Sequence, residues 1–186
     1  MIERLLEGNR RYAAGRSSAA NASPARRREL VAGQAPAAAV LCCSDSRVPP
    51  EIIFDCGLGE LFVVRVAGNV IDPVVLDSLE YAVDHLGVQL VVVLGHNNCG
   101  AVTAACAGGH SRSPGHLADL LCLLGPAVEA ADALGRPATR VDDAVAANVR
   151  MAVQKLEQHL GTASVGRGLL VVGALYDLES GVVSLL

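Results

Sequence analysis

Val40-Leu41-Cys42-Cys43-Ser44-Asp45-Ser46-Arg47-Val48-Pro49-Pro50 is the stretch on which the reading of this chain turns. The apolar run from Ala37 to Leu41 predicts a buried strand, and polar residues crowd together at its end. Cys43, Asp45 and Arg47 alternate, so an extended chain would project them to one side. A thiol, a carboxylate and a guanidinium on one face are costly to bury without a role. A second apolar run, Gln89 to Leu94, ends in Gly95-His96-Asn97-Asn98-Cys99-Gly100. Two strands that each deliver soft metal ligands at their ends read as one zinc site.

The rest of the chain supplies a frame for such a pair. An amphipathic helix is expected from Met1 to Ala14, and Ser23-Pro24 gives an N-cap followed by proline for a short helix to Val31. Strands follow at Leu61–Val66, Gln89–Leu94, Gly168–Leu175 and Val182–Leu186. Asp72-Pro73 opens a helix between the second and third strands, and Ala67-Gly68-Asn69 reads as a turn. A small-residue helix is expected from Cys99 to Ala107, then two long helical stretches at His116–Leu134 and Val141–Leu160. Strands alternating with helices predict an α/β fold: an open, mostly parallel sheet of about four strands with right-handed crossovers. The tight turn at Tyr176–Gly181 makes the last strand an antiparallel edge. We read one domain, with residues 1–33 as a helical arm and 34–186 as the α/β core. Function in such sheets gathers at the carboxyl ends of strands, where both ligand runs lie.

Composition agrees. Hydrophobic residues make up 52% of the 186, aromatics 3%, and there is no Trp, so the core is built from Ala, Val and Leu. No apolar run approaches membrane-spanning length and the N-terminus lacks an apolar signal region, which makes the cytoplasm the expected location. Residues 1–30 hold seven Arg against three Glu, +4, leaving −8 for the remainder. Arg26-Arg27-Arg28 lacks interleaved aromatics, so nucleic acid is not the expected partner; docking on the acidic body of a second subunit is. Six cysteines in such a chain point to metal or catalysis more than to disulfides. Cys42, Cys56, Cys106 and Cys122 lack a ligand-like setting and read as small core residues. His85, His110, His116 and His159 read as surface residues.

Zinc favours thiolate and imidazole in tetrahedral geometry, so Cys43, His96 and Cys99 are the expected ligands, with Asp45 available as a fourth. Four protein ligands would make a closed structural knot. Arg47 argues for catalysis instead, because it can pair bidentately with Asp45, hold it off the metal and open the fourth position to water. Asp45 would then orient zinc-bound hydroxide; Asp45 on the metal would cap and idle the site. Two thiolates and an imidazole cancel the charge of the ion, so activity is expected to rise toward alkaline pH.

Cys43-Ser-Asp-Ser-Arg47 with His96-x-x-Cys99-Gly100 resembles the β-class carbonic anhydrases. Leu6-Glu-Gly-Asn-Arg10, Phe62 to Asn69, Tyr81-Ala-Val83 and Gly173 to Gly181 extend the resemblance over most of the chain. It implies reversible hydration of carbon dioxide to bicarbonate on Zn²⁺, in a homodimer or higher even-numbered homo-oligomer with sites at the subunit interface. It implies a substrate-binding role for Gln34, nine positions before Cys43, and a pocket lined by Phe62, Ala67, Tyr81 and Gly100, some of it from the neighbouring chain. Ala67 replaces a residue that is often larger, which makes the pocket roomier. Val40 stands where members inhibited by bicarbonate carry Trp, although Arg65 and Tyr176 match the rest of that triad, so this inhibition is expected to be absent or weak.

Two other readings share these residues. Carbonyl sulfide or carbon disulfide hydrolysis uses the same ligand set on a linear analogue of the same substrate. A non-catalytic zinc-binding scaffold would have no need of Asp45, Arg47 and Gln34.

Overall fold

Two strands with no exposed residue form the centre of the molecule: β1 (Ala38–Cys42) and β3 (Leu90–His96), paired in parallel. A computed structural model describes residues 1–18, 22–108, 116–163 and 168–186. β2 (Leu61–Arg65) flanks β1 in parallel, β4 (Leu170–Tyr176) flanks β3 in parallel, and β5 (Val183–Leu185) closes the far edge antiparallel to β4. The order is β2-β1-β3-β4-β5, so the mostly parallel sheet with an antiparallel edge strand is as the sequence predicts.

Alternation sorts the central strands onto two faces. Ala39, Leu41, Val91 and Val93 pack with Leu79, Ala82, Val149 and Leu156, from α4 (Pro73–Asp84) and α8 (Arg140–Ala163). Ala38, Val40, Cys42, Leu90, Val92 and Leu94 pack with Leu5 from α1 (Ile2–Ala13) and with Ile53 and Phe54, around α3 (Pro50–Ile53). Each fully buried Val, Leu or Ile contributes about 1.5–3 kcal/mol, so the two faces carry most of the fold. A third cluster lies at the carboxyl ends of the strands: Cys43, Val70, Cys99, Val102, Leu121, Leu124 and Val145.

Glycine sets how closely α8 approaches. A Cβ at Gly95 would lie 2.6 Å from Val149 Cγ2, and one at Gly173 2.9 Å from Val149 Cγ1. Absent side chains on β3 and β4 therefore admit Val149 and fix the height of the helix above the sheet. α1 is as tightly seated on its own chain. Asn9 donates to Ile53 O and Gly181 O and accepts from Val183 N, while Arg4 and Arg11 pair with Glu60 and Asp55.

The helix starts read from the sequence are present: Ser23 accepts from Arg26 N at the start of α2 (Pro24–Glu29), and Asp72 from Val75 N at the start of α4. One helical stretch needs correction. His116–Leu134 is two helices, α6 (Leu117–Cys122) and α7 (Gly125–Asp132), with Pro126 in the first turn of α7. Proline has no N–H to continue a helix but fits its first turn. α5 (Gly100–Cys106) follows Cys99 directly. Cys42 is buried as expected, but Cys56 and Cys106 are only partly covered and Cys122 is exposed, because α6 turns it outward. Among the described residues no helix is long and apolar enough to cross a membrane. His85, His116 and His159 are exposed; His110 lies outside the described residues.

Candidate metal centre

β1 and β3 diverge in their connections here: the chain leaves β1 for β2 on one side, while β3 lies on the other. Neighbouring carboxyl ends at such a reversal leave a crevice between the outgoing loops. Cys42 pairs with Leu94, so Cys43 and His96 emerge from adjacent strands within two residues of each other in register. Cys99 caps the start of α5 just beyond. The ligand atoms of Cys43, His96 and Cys99 all lie within 4.8 Å of one another, and all three residues are buried.

Within this triad the histidine is oriented. His96 Nδ1 lies 2.8 Å from Asn97 O, a carbonyl that only accepts, so the ring proton sits on Nδ1. Nε2 therefore carries the lone pair, is fully buried and has no hydrogen-bond partner among the described residues. Such an atom is costly unless a hydrogen-bond donor or a cation occupies the space it faces, and the two neighbouring thiols suit a cation. Donor types, spacing and the orphaned Nε2 fit a zinc-type ion.

The sulfurs are poised as well. Cys43 Sγ and Cys99 Sγ lie 3.9 Å apart, and Gly68 N donates to Cys43 Sγ across 3.2 Å. The contact with Cys99, helped by the Gly68 N–H and opposed by burial, lowers the Cys43 thiol to about 4; contact with Cys43 and burial push Cys99 up. Of the two, Cys43 is the more acidic thiol. Cys42, one residue earlier and facing the opposite core, is pushed up to about 12 by burial and stays a neutral thiol.

Asp45 and Arg47 meet differently from the expected extended alternation. The strand stops at Cys42, and Val48 N bonds back to Asp45 O at 2.9 Å, closing a turn. Asp45 Oδ1 accepts from Arg47 N and Arg47 Nε, both at 2.9 Å, and Oδ2 accepts from Arg47 Nη2 at 2.7 Å. An Asx turn therefore folds the guanidinium onto the carboxylate. Arg47, through its side-chain hydrogen bonds, holds the Asp45 carboxyl well below the usual carboxylate range. Oδ2 remains 4.0 Å from His96 Nε2, beside the triad. Arg65 Nε and Nη2 bond to Cys43 O and Asp45 O, so the guanidinium at the end of β2 braces the whole loop. Tyr176, by contrast, is buried, with its hydroxyl 3.2 Å from that of Tyr12.

The other residues named from the sequence fall into two groups. Ala67 and Gly100 lie beside the triad, Ala67 in the turn that brings Gly68 to Cys43 and Gly100 next to Cys99. A Cβ at Gly100 would meet no atom within 4 Å among the described residues beyond its own helix backbone and chain neighbours, so the position is open. Gln34, Phe62 and Tyr81 are not brought to the triad within one chain. Gln34 is exposed before β1, at the opposite end of a strand that spans roughly 16 Å. Phe62 pairs with Ala39, well short of Cys43, and its ring centroid lies 6.3 Å from that of the half-exposed Tyr81.

Two supports had no signal in the sequence, because each joins residues 80 positions apart. Asn148, buried on α8, donates to Gly68 O at 2.9 Å and so secures the turn whose N–H meets Cys43. Asn97 donates to Asp177 Oδ2 at 2.6 Å.

Comparison with known proteins agrees with this geometry. The family model described as carbonic anhydrase matches residues 38–183. Carbonic anhydrase 2 of Mycobacterium tuberculosis is 44% identical over 184 residues, covering 95% of this chain and 87% of the relative. The carbonic anhydrase of Mycolicibacterium smegmatis is 41% identical over 191 residues, with 97% and 89% covered. Among solved structures, a tetrameric β-carbonic anhydrase of Sordaria macrospora superposes with a TM-score of 0.79 at 30% identity, covering 100% of this chain and 96% of that one. Coccomyxa β-carbonic anhydrase in complex with acetazolamide gives 0.78 at 29% identity, with 100% and 86% covered. With a family model spanning most of the sequence and relatives this similar from end to end, the chain belongs to the β-carbonic anhydrase family.

Proposed function

We propose that this enzyme catalyses the reversible hydration of carbon dioxide to bicarbonate and a proton, with one zinc ion held by Cys43, His96 and Cys99. The observation that carries the reading is the buried, unpartnered Nε2 of His96 among two thiols, with the one nearby carboxylate already engaged by Arg47. A bound zinc ion supplies an electrophilic centre that acidifies water.

The chain's own groups do the rest. Arg47 occupies both oxygens of Asp45 and keeps the carboxylate from completing a four-ligand knot. Asp45 keeps lone pairs beside the triad with which to accept one hydrogen bond and orient the attacking water. Release of Asp45 by Arg47 would let it act as the fourth ligand and close the site. Gln34, Phe62 and Tyr81 serve a site only when a second copy brings them there, which supports a homodimer or larger even-numbered assembly. The similar Sordaria enzymes are described as tetrameric.

Stopped-flow hydration by zinc-loaded protein tests the reading. The expected result is a rate that climbs through the alkaline range, since Cys43 and Cys99 as thiolates offset the charge of the ion. A background rate at every pH, with zinc bound, would turn the assignment toward a sulfur-containing analogue of carbon dioxide, and then toward a zinc scaffold.

A further inference from the structure

Asn97 is bonded through every polar group it has. Its backbone N donates to Tyr176 O at 3.3 Å, its Nδ2 to Asp177 Oδ2 at 2.6 Å, and its Oδ1 accepts from Leu178 N at 2.9 Å. The fourth group is the carbonyl that accepts from His96 Nδ1. Three of these four contacts thus run to consecutive residues at the end of β4. Asp177 is itself fixed, its Oδ1 accepting from Ser180 N and Ser180 Oγ at 2.7 and 2.6 Å in the turn toward β5.

We infer that Asn97 is a positioning residue that locks the ring of His96 from the β4–β5 turn, through Asp177 and Leu178. The physical argument has two steps. A carbonyl accepting from Nδ1 decides that Nε2 is the unprotonated nitrogen, and its placement decides where that lone pair points. A loop carbonyl places a ring only as well as the loop is held, and the Asn97 side chain ties this loop to a hydrogen-bonded turn instead of leaving it to solvent. The antiparallel β4–β5 pair, remote in sequence from both ligand strands, thereby becomes part of the support for the metal centre. The inference rests on the triad being a metal site, as proposed above.

The test compares wild type, Asn97→Ala, Asp177→Ala and the double variant, with Ser180→Ala as control. Two measurements are made on each: zinc affinity by chelator competition, and the visible absorption spectrum of the cobalt-substituted protein. Asn97→Ala and Asp177→Ala are expected to weaken zinc binding on the order of 10–100-fold and to shift the cobalt spectrum. The double variant should lose no more than the worse single, because both changes break one brace. Ser180→Ala removes one of the two donors to Asp177 Oδ1 and leaves Ser180 N in place, so its effect on affinity and spectrum should be clearly smaller than that of Asp177→Ala. Wild-type affinity and spectrum in a folded Asn97→Ala protein would overturn the assignment, as would an effect of Ser180→Ala equal to that of Asp177→Ala. Should Asn97→Ala fail to fold, Asn97→Ser carries the same comparison. Wild-type protein that takes up neither zinc nor cobalt would overturn the metal reading itself, an outcome distinct from the others.

Discussion

The buried amide of Asn148 lies 2.9 Å from the carbonyl of Gly68, whose own N–H points at the sulfur of Cys43. A helix that packs on one face of the sheet thus reaches, through one peptide, the thiol delivered by β1. Asn148→Ala leaves the Gly68 carbonyl without this donor in a buried setting, at a cost of roughly 1–3 kcal/mol. Denaturant unfolding of the zinc-free protein should show that loss, and the zinc-loaded protein should release its metal faster. Unchanged stability and unchanged release would mean that the Gly68 turn holds itself.

Under the proposed gate, Asp45 and Arg47 should separate metal binding from turnover. Asp45→Asn should retain zinc at full stoichiometry and lose turnover by about a hundredfold or more, because the neutral amide cannot pair with Arg47 or orient the substrate water as a carboxylate does. Arg47→Ala should free Asp45 to enter the metal sphere, seen as a changed cobalt spectrum and a silent enzyme. Metal analysis together with stopped-flow rates reads both. Unimpaired turnover in Asp45→Asn would remove the gate from the mechanism.

Two glycines near the site should respond in opposite ways. Gly95→Ala places a methyl 2.6 Å from Val149 and 3.1 Å from Leu175, and is expected to cost about 1–3 kcal/mol in stability. Gly100→Ala meets open space and should stay within about 0.5 kcal/mol of wild type. If Gly100 faces substrate, its variant should bind zinc normally and lose kcat/KM. Thermal melts and steady-state kinetics on the two proteins distinguish packing from pocket.

Acid should loosen the contact between α1 and the body. Burial acts to raise the Asp55 carboxyl, but Arg11 and Ser18 outweigh it and hold it below the ordinary carboxylate value. A folded pKa below the unfolded one means stability that is present above the unfolded value, near 3.9, and is lost as pH falls through the folded one. Asp55→Asn tolerates the same left-handed backbone, φ 49°, while removing the charge. Urea unfolding should show wild type more stable than Asp55→Asn at neutral pH, with the difference shrinking as the pH drops below about 4. A difference independent of pH would mean that the ion pair adds nothing beyond packing.

Much of this was legible in the sequence because it depends on local chemistry. Continuous apolar runs forecast the buried parallel strands β1 and β3, and Ser23-Pro24 and Asp72-Pro73 forecast helix starts. The grouping of Cys43, His96 and Cys99 followed from donor types at strand ends. Where local reasoning erred, the causes were local too. Extended alternation cannot describe Asp45 to Val48, since the Asp45 side chain competes for Arg47 N and bends the chain. A single apolar stretch from His116 to Leu134 conceals the restart that Pro126 enforces.

Sequence by itself determined the residue types of the site, the strands that carry them and the family. Only the tertiary structure decided how those residues are held. Register puts Cys43 beside His96, Val149 seated over Gly95 and Gly173 sets the height of α8, and that height brings Asn148 to Gly68. The Asn97–Asp177 contact likewise exists because β4 pairs with β3. Hydrogen bonds between residues eighty positions apart leave no periodicity or spacing in the chain, since their partners are chosen by packing and not by neighbours in sequence.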